Sequence, residues 1–150
     1  MATDLRRRGF ADTVLGVESD PLHAAAAEKI GLADRMVSFD ECVAQGDLVV
    51  VAVPADTAVS MLGKVLDRFG EAGALDKIVI DTCSIKAPLA QAVRYHPMRR
   101  CYVATHPMAG TEYSGPWAAM PGLFDGRACI IADAEESSEK AVRTVEKLYG

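Results

Sequence analysis

Residues 47–81 read DLVVVAVPADTAVSMLGKVLDRFGEAGALDKIVID, and the order of apolar patterns in this stretch decides the fold. Residues 47–53 are almost continuously apolar, which is typical of a parallel strand whose two faces are both covered by helices. From Val59 to Phe69 apolar residues recur at steps of three and four, which predicts an amphipathic helix with an apolar stripe before Gly70. A second strand is predicted at 77–81. The stretch therefore predicts a strand, a helix and another strand in succession.

The same alternation continues on both sides of this stretch. Toward the N-terminus we predict a strand at 13–17, a helix at 21–30, a strand at 36–37 and a short helix that Ser38 and Glu41 begin as a capping box. Toward the C-terminus we predict a helix at 88–95, strands at 101–105 and 127–132, and a helix at 137–149. Strands that alternate with helices at this spacing predict an α/β fold with a doubly wound, mostly parallel sheet.

Composition and charge restrict the classes of protein to which the chain can belong. Of its 150 residues, 50% are hydrophobic and 25% charged, which is enough to bury one substantial core, so one domain is expected. The net charge is −5 with acids and bases interspersed, which speaks against nucleic-acid or anionic-membrane partners. The one basic run, from Arg6 to Arg8, precedes Gly9 and is expected in the last turn of a helix that the glycine caps.

Cysteine usage and hydropathy point to a cytoplasmic protein. The longest apolar run is far shorter than the ~20 residues of a spanning helix, and the N-terminus lacks the apolar core of a signal peptide. Cys42, Cys83, Cys101 and Cys129 are widely spaced, without a Cys-x-x-Cys pair or a nearby histidine at metal-ligand spacing. We therefore expect reduced thiols and no metal site.

Residues 105–115, THPMAGTEYSG, hold the strongest functional signal. They follow the apolar residues 102–104, so His106 is expected at the exit of a strand, where open α/β sheets carry their chemistry. The loop at 107–126 is long and lacks periodicity, and such loops in compact domains are usually functional. His23 and His96, in contrast, are expected to be solvated side chains of a helix and a turn. Trp117 and Phe124 are expected to pack the long loop onto the sheet.

The 105–115 segment resembles the His-Pro-x-Ala-Gly-x-Glu signature of prephenate and arogenate dehydrogenases, and the match continues to Trp117. The resemblance implies a Rossmann-like fold and an NAD-dependent oxidative decarboxylation of prephenate or arogenate in tyrosine biosynthesis. It implies that His106 accepts a hydrogen bond from the ring hydroxyl of the substrate and draws off its proton, a task that suits an imidazole. Thr111 and Glu112 match loop positions that face the substrate pocket in this family.

A second segment, DTCSIK at 81–86, resembles the family's Asp-x-Gly-Ser-x-Lys. The resemblance implies that Ser84 lies beside the nicotinamide and the reacting hydroxyl, and it places Lys86 at the substrate pocket. Cys83 stands where the family has glycine, so a side chain is added where backbone approaches the cofactor. Without the resemblance, Ser84 would be read as a cap for the helix that begins near Pro88, and Lys86 as a solvated lysine or the partner of a nearby carboxylate.

The resemblance also locates the cofactor side. It places Glu18, at the end of the first predicted strand, on the adenosine ribose hydroxyls, and a carboxylate there favours NAD over NADP. Asp20 competes for this role. Val53 and Pro54 match a stretch that lines the adenosine and ribose side, although the proline could simply end the strand.

A dinucleotide-binding fold of this type begins with a strand and a glycine-rich loop, because the pyrophosphate needs bare backbone and a helix N-terminus. Neither precedes the first predicted helix, so we expect an incomplete dinucleotide-binding domain over 1–150, truncated at both ends. The family's C-terminal helical domain, through which the parent protein would form a homodimer, is expected to be missing as well. Two alternatives are a related hydroxy-acid dehydrogenase and a non-catalytic module that senses dinucleotides or mediates interactions.

Overall fold

The computed structural model describes all 150 residues, and the chain divides into two compact units. The first unit contains residues 1–42 and 108–128. The second contains residues 43–107 and 129–150. No helix of the chain combines the length and hydrophobicity that a bilayer crossing requires.

The first unit contains two short parallel strands and two helices. Helix α1 spans Ala2–Arg7, strand β1 Leu15–Gly16, helix α2 Pro21–Lys29 and strand β2 Arg35–Met36. Leu15 pairs with Arg35 and Gly16 with Met36. The sequence predicted each of these elements, but β1 is shorter than the predicted 13–17 and β2 begins one residue before the predicted 36–37.

The arginine run of the first unit serves the fold, as the sequence predicted. Arg6 and Arg7 lie in the last turn of α1, and Gly9 beyond it adopts a positive φ of 67°. Arg7 pairs with Asp125 at 2.5 Å, and Asp4 accepts a hydrogen bond from the backbone N–H of Gly122 at 2.6 Å. These contacts fasten segment 108–128 to α1. The expectation for Trp117 was wrong, because its ring is 66% exposed and meets the edge of His23 on α2.

The second unit is a four-stranded sheet with the order β3-β4-β5-β6. Helix α3 (Phe39–Gln45) leads into it, with Ser38 accepting a hydrogen bond from the Glu41 N–H, as a capping box does. The strands are β3 (Leu48–Val51), β4 (Ile78–Asp81), β5 (Tyr102–Pro107) and β6 (Cys129–Ala132), and the helices are α4 (Ala55–Glu71), α5 (Ala87–Val93) and α6 (Glu139–Tyr149).

The first three strands of this sheet are parallel, and β6 runs antiparallel to β5. Val51 lies opposite Asp81, and Ile80 lies opposite Val103, so the carboxyl ends of β3, β4 and β5 meet at one edge. The mostly parallel, Rossmann-like α/β class predicted from the sequence is thereby confirmed.

The core of the second unit forms where α4 covers the sheet. Its apolar stripe is buried as the periodicity predicted, and the buried residues of the helix are Ala58, Leu62, Val65, Leu66 and Phe69. All four residues of β4 are buried as well. Burial on both faces explains why β4 reads as an apolar run rather than as an alternating pattern.

We expect Leu62→Ala to lower the free energy of unfolding by about 2–5 kcal/mol, because Leu62 is fully buried and the change removes apolar contacts and leaves a cavity. Urea unfolding followed by circular dichroism measures the change. The matched control is Leu75→Ala, since that leucine is 75% exposed and its truncation should shift the free energy by no more than about 0.5 kcal/mol. Equal losses in both variants would contradict the assigned core.

Candidate active site

The carboxyl edge of the second unit brings together three of the segments singled out in the sequence. Val53 and Pro54 follow β3, Ser84 lies on the turn after β4, and His106 lies at the end of β5. The Cys83 Sγ is 3.7 Å from the carbonyl oxygen of Val53, so the turn after β4 lies against the end of β3. Open α/β sheets bind ligands at this edge.

His106 is part of strand β5 rather than of the loop that follows it. It is the second-last residue of the strand and lies opposite Ile130 of the antiparallel strand β6. The residue is half-buried, which leaves part of it open to a ligand. An imidazole whose backbone lies in a strand ladder in this way can accept a proton from a hydroxyl group.

Ser84 is exposed on the turn that joins β4 to α5. The alternative in which it caps α5 does not hold, because Lys86 occupies the N-cap position and no side chain caps the helix. Its hydroxyl is therefore available for a ligand at the carboxyl edge.

The sequence did not identify the residue that organises this turn, Asp81. Its side chain is completely buried at the last position of β4. The carboxylate accepts hydrogen bonds from the N–H of Cys83 at 2.8 Å and from the Tyr102 hydroxyl at 2.7 Å, and it forms an ion pair with Lys86. The sequence signals were its place as the first residue of the 81–86 motif and an acid at the end of an otherwise apolar strand, five residues before a lysine.

Lys86 is not a solvated lysine. Its side chain is only 17% exposed, and its Nζ donates to the Asp81 carboxylate and to the backbone carbonyl of Thr105, the residue before His106. Lys86 therefore links the turn that carries Ser84 to the strand that carries His106.

Buried hydroxyl groups complete the polar cluster below this edge. Thr105 donates its hydroxyl hydrogen to the backbone carbonyl of Asp81, and its Oγ1 is 3.2 Å from the Tyr149 hydroxyl. Burial raises the pKa of Tyr102, and the Asp81 carboxylate raises it further. Burial likewise raises the pKa of Tyr149, so both phenols are neutral near pH 7. The Cys83 thiol also has a raised pKa, first because it is buried and then because Asp81 is close.

The first unit contains Glu18 and its competitor Asp20, and their hydrogen bonds separate their roles. Asp20 caps α2, with Oδ1 accepting from the backbone N–H groups of Leu22 at 2.8 Å and of His23 at 3.2 Å. Glu18 lies just after β1, is exposed, and its Oε1 accepts from the N–H of Asp20 at 2.9 Å and from the Ser19 hydroxyl at 3.4 Å. Asp20 therefore serves as the cap of α2, whereas Glu18 bonds only its immediate neighbours after β1.

Thr111 and Glu112 also belong to the first unit and are exposed. The Thr111 hydroxyl accepts a hydrogen bond from the N–H of Tyr113 at 3.3 Å, which makes a local turn.

The two other histidines are tied into the fold, so the expectation that they are solvated was wrong. His96 Nε2 is 3.1 Å from the Asp67 carboxylate, and its Nδ1 accepts from the N–H of Met98 at 3.0 Å. The ring of His23 meets Trp117 edge-on, with centroids 5.4 Å apart. Both rings have structural contacts.

Comparison with known proteins identifies the family of the chain. A family model described as "Prephenate dehydrogenase, nucleotide-binding domain" matches residues 1–150. The chain belongs to this family. The similarity to this family therefore extends over residues 1–150 and is not confined to the two motifs.

Two curated relatives are similar to the chain over most of its length. Prephenate dehydrogenase of Bacillus subtilis is 29% identical over 151 residues, which cover 99% of the chain and 40% of that protein. Cyclohexadienyl dehydrogenase of Zymomonas mobilis is 28% identical over 117 residues, covering 77% of the chain and 39% of that protein. The chain thus spans about two fifths of the length of these relatives.

A solved structure confirms the fold. Prephenate dehydrogenase from Aquifex aeolicus, in complex with hydroxyphenyl propionate and NAD+, matches with a TM-score of 0.82 at 24% identity, covering 99% of the chain and 51% of that protein. The backbone described above is therefore that of a nucleotide-binding domain of this family.

The raised pKa of Tyr102 predicts how stability changes in alkaline solution. Because folding raises this pKa, the stability that the neutral phenol contributes is fully present below the unfolded-state pKa of about 10 and is lost as pH rises from there toward the folded-state pKa. We therefore expect the free energy of unfolding to fall more steeply between about pH 9 and about pH 11 in the wild type than in Tyr102→Phe.

Urea unfolding at a series of pH values measures this difference. Tyr113→Phe is the matched control, because Tyr113 is 71% exposed and its replacement should leave the wild-type slope unchanged. Parallel slopes for the wild type and Tyr102→Phe would show that the buried phenol does not contribute.

Proposed function

We propose that the chain is the nucleotide-binding part of an NAD-dependent prephenate or arogenate dehydrogenase of tyrosine biosynthesis. The observation that carries the proposal is the position of Ser84 and His106 at the ends of adjacent parallel strands, β4 and β5, in a domain of this family. Both residues lie at the edge where α/β sheets bind ligands. The relatives are named as dehydrogenases, one of prephenate and one of a cyclohexadienyl substrate, which supports this reaction class.

In this proposal His106 is the general base. A bound nicotinamide cofactor accepts the hydride from the substrate's ring carbon. His106 accepts the proton of the hydroxyl group on that carbon, while Ser84 donates or accepts a hydrogen bond at the same oxygen. Loss of carbon dioxide returns the electron pair of the breaking C–C bond to the ring, which becomes aromatic. The protein therefore needs to orient one hydroxyl group and remove one proton.

Each unit, taken by itself, contains residues of the kind that bind a dinucleotide. Glu18 of the first unit offers an exposed carboxylate after β1 for the ribose hydroxyls, and its negative charge disfavours the 2′-phosphate of NADP. Val53 and Pro54 of the second unit lie just beyond β3, at the carboxyl edge of its sheet. The Aquifex aeolicus structure contains NAD+, which supports the same cofactor here.

Two exposed residues of the long loop are included in the proposal as substrate-binding residues. Thr111 and Glu112 are proposed to face the substrate pocket, where an exposed hydroxyl and an exposed carboxylate can bind polar groups.

We further propose that 1–150 is an incomplete dinucleotide-binding domain of a longer cytoplasmic protein that dimerises through a helical domain. The share of the relatives that the chain covers, 40% and 39%, supports this part.

The reaction is tested with the complete open reading frame that contains this chain. We expect prephenate or arogenate together with NAD+ to yield NADH, measured by its absorbance. His106→Asn should lower kcat by about 10²–10⁴-fold while the Kd for NAD+ is nearly unchanged, because only proton removal is lost.

The matched control is His96→Asn, which also removes an imidazole, but one bonded to Asp67. It should keep wild-type kcat. Full turnover by His106→Asn would remove the proposed base, and NAD+ binding without turnover of either acid in the wild type would favour a dinucleotide-sensing module instead.

Cofactor preference tests the role of Glu18. Glu18→Ala should lower the ratio of kcat/KM with NAD+ to that with NADP+ by about 10- to 100-fold, because a hydrogen bond to a charged group contributes about 1.5–3 kcal/mol. Asp20→Asn is the control, since asparagine still caps α2 and the charge removed is only two residues away. A larger loss of NAD+ preference in Asp20→Asn than in Glu18→Ala would assign the ribose to Asp20.

A further inference from the structure

We propose that Asp81 and Lys86 are positioning residues that hold the Ser84 turn in register with His106. The proposal rests on the function proposed above. Neither residue needs to touch substrate or cofactor in this role. Their ion pair acts on catalysis through the placement of the serine hydroxyl relative to the imidazole.

Asp81 determines the path of the turn that carries Ser84. Its carboxylate is fully buried and accepts the N–H of Cys83, the residue directly before Ser84. A buried charge of this kind requires a partner charge and hydrogen bonds to each oxygen. Cys83 and Lys86 satisfy Oδ1, and the Tyr102 hydroxyl satisfies Oδ2 at 2.7 Å. The backbone before Ser84 is therefore fixed relative to β4.

The turn also makes contacts on both sides, with β5 and with the residues that follow β3. Lys86 reaches from the far end of the turn to the carbonyl oxygen of Thr105, which directly precedes His106 in β5. On the other side, the Cys83 Sγ is 3.7 Å from the carbonyl oxygen of Val53 beyond β3. Cys83, the departure from the family's glycine, thus adds a contact to the turn. Ser84 lies between the two fastened residues.

This arrangement points to a role in catalysis rather than in stability alone. Removing an ion pair from water costs much of what the pairing gains, so a buried pair is weak evidence for stability. Its directional bonds, however, fix two segments relative to each other. A reaction that depends on two groups acting on one hydroxyl is sensitive to displacements of about 1 Å, which can cost about 10²-fold in rate.

The test uses Lys86→Met and Asp81→Asn in the complete reading frame. Lys77→Met is the matched control, because Lys77 is also a partly buried lysine beside β4, but its Nζ donates to the carbonyl oxygens of Val43 and Ala44 at the amino end of the strand. We expect the first two variants to lose kcat by about 10²-fold while KM for the acid and for NAD+ stays within about threefold. Lys77→Met should unfold at a lower temperature and keep wild-type kcat.

A single substitution leaves one charge unpaired and can prevent folding, so the double variant Asp81→Asn, Lys86→Met is also measured. It removes both charges and should show the same loss of kcat as either single variant, because residues that act as a unit are not additive. Hydrogen exchange at the Cys83 amide gives a second readout that does not depend on activity. Exchange should become faster in the double variant and stay unchanged in Lys77→Met.

The outcomes separate this inference from the proposed function. Absence of turnover in the wild type would overturn the proposed function, and the inference with it. Wild-type turnover together with full kcat in the folded double variant would overturn the inference alone. A rise in KM for the acid with kcat retained in Lys86→Met would also overturn it, and would assign the lysine to direct binding of substrate.

Discussion

A carboxylate that is buried at the end of a parallel strand must have its charge balanced and its lone pairs filled, and Asp81 imposes this constraint on the second unit. Three features follow from it: the course of the turn after β4, the inward direction of Lys86 and the presence of a tyrosine at position 102. The turn can take few other paths without leaving a buried charge unsatisfied. Ser84 is exposed on this turn, directly after Cys83, whose N–H the carboxylate accepts.

Local periodicity was sufficient to predict most of the fold. The helix from Ala55 to Glu71 and the strands on either side of it follow directly from steps of three and four and from continuous apolar runs. The strand limits were less predictable, because a ladder ends where a partner strand ends and a single segment does not contain that information. For this reason the strand predicted at 13–17 is reduced to Leu15–Gly16.

The site was predictable only where a motif carried it. The two segments around Ser84 and His106 were found through their resemblance to a family, and the family itself is confirmed over the whole chain. The role of Asp81 was not predictable, since its partner Tyr102 lies 21 residues away and no local pattern joins them. Similarly, only the capping geometry of α2 distinguishes Asp20 from Glu18. The expectation for Trp117 failed because its aromatic character alone does not specify a partner.

The antiparallel strand β6 gives His106 a property that a loop residue would not have. Its backbone lies in a ladder with β6, opposite Ile130, so the main chain on which the imidazole is mounted is ordered when the protein folds. Only the two side-chain torsions remain to be set when a ligand arrives. The backbone part of the conformational entropy of placing this proposed base is therefore lost in folding rather than in binding.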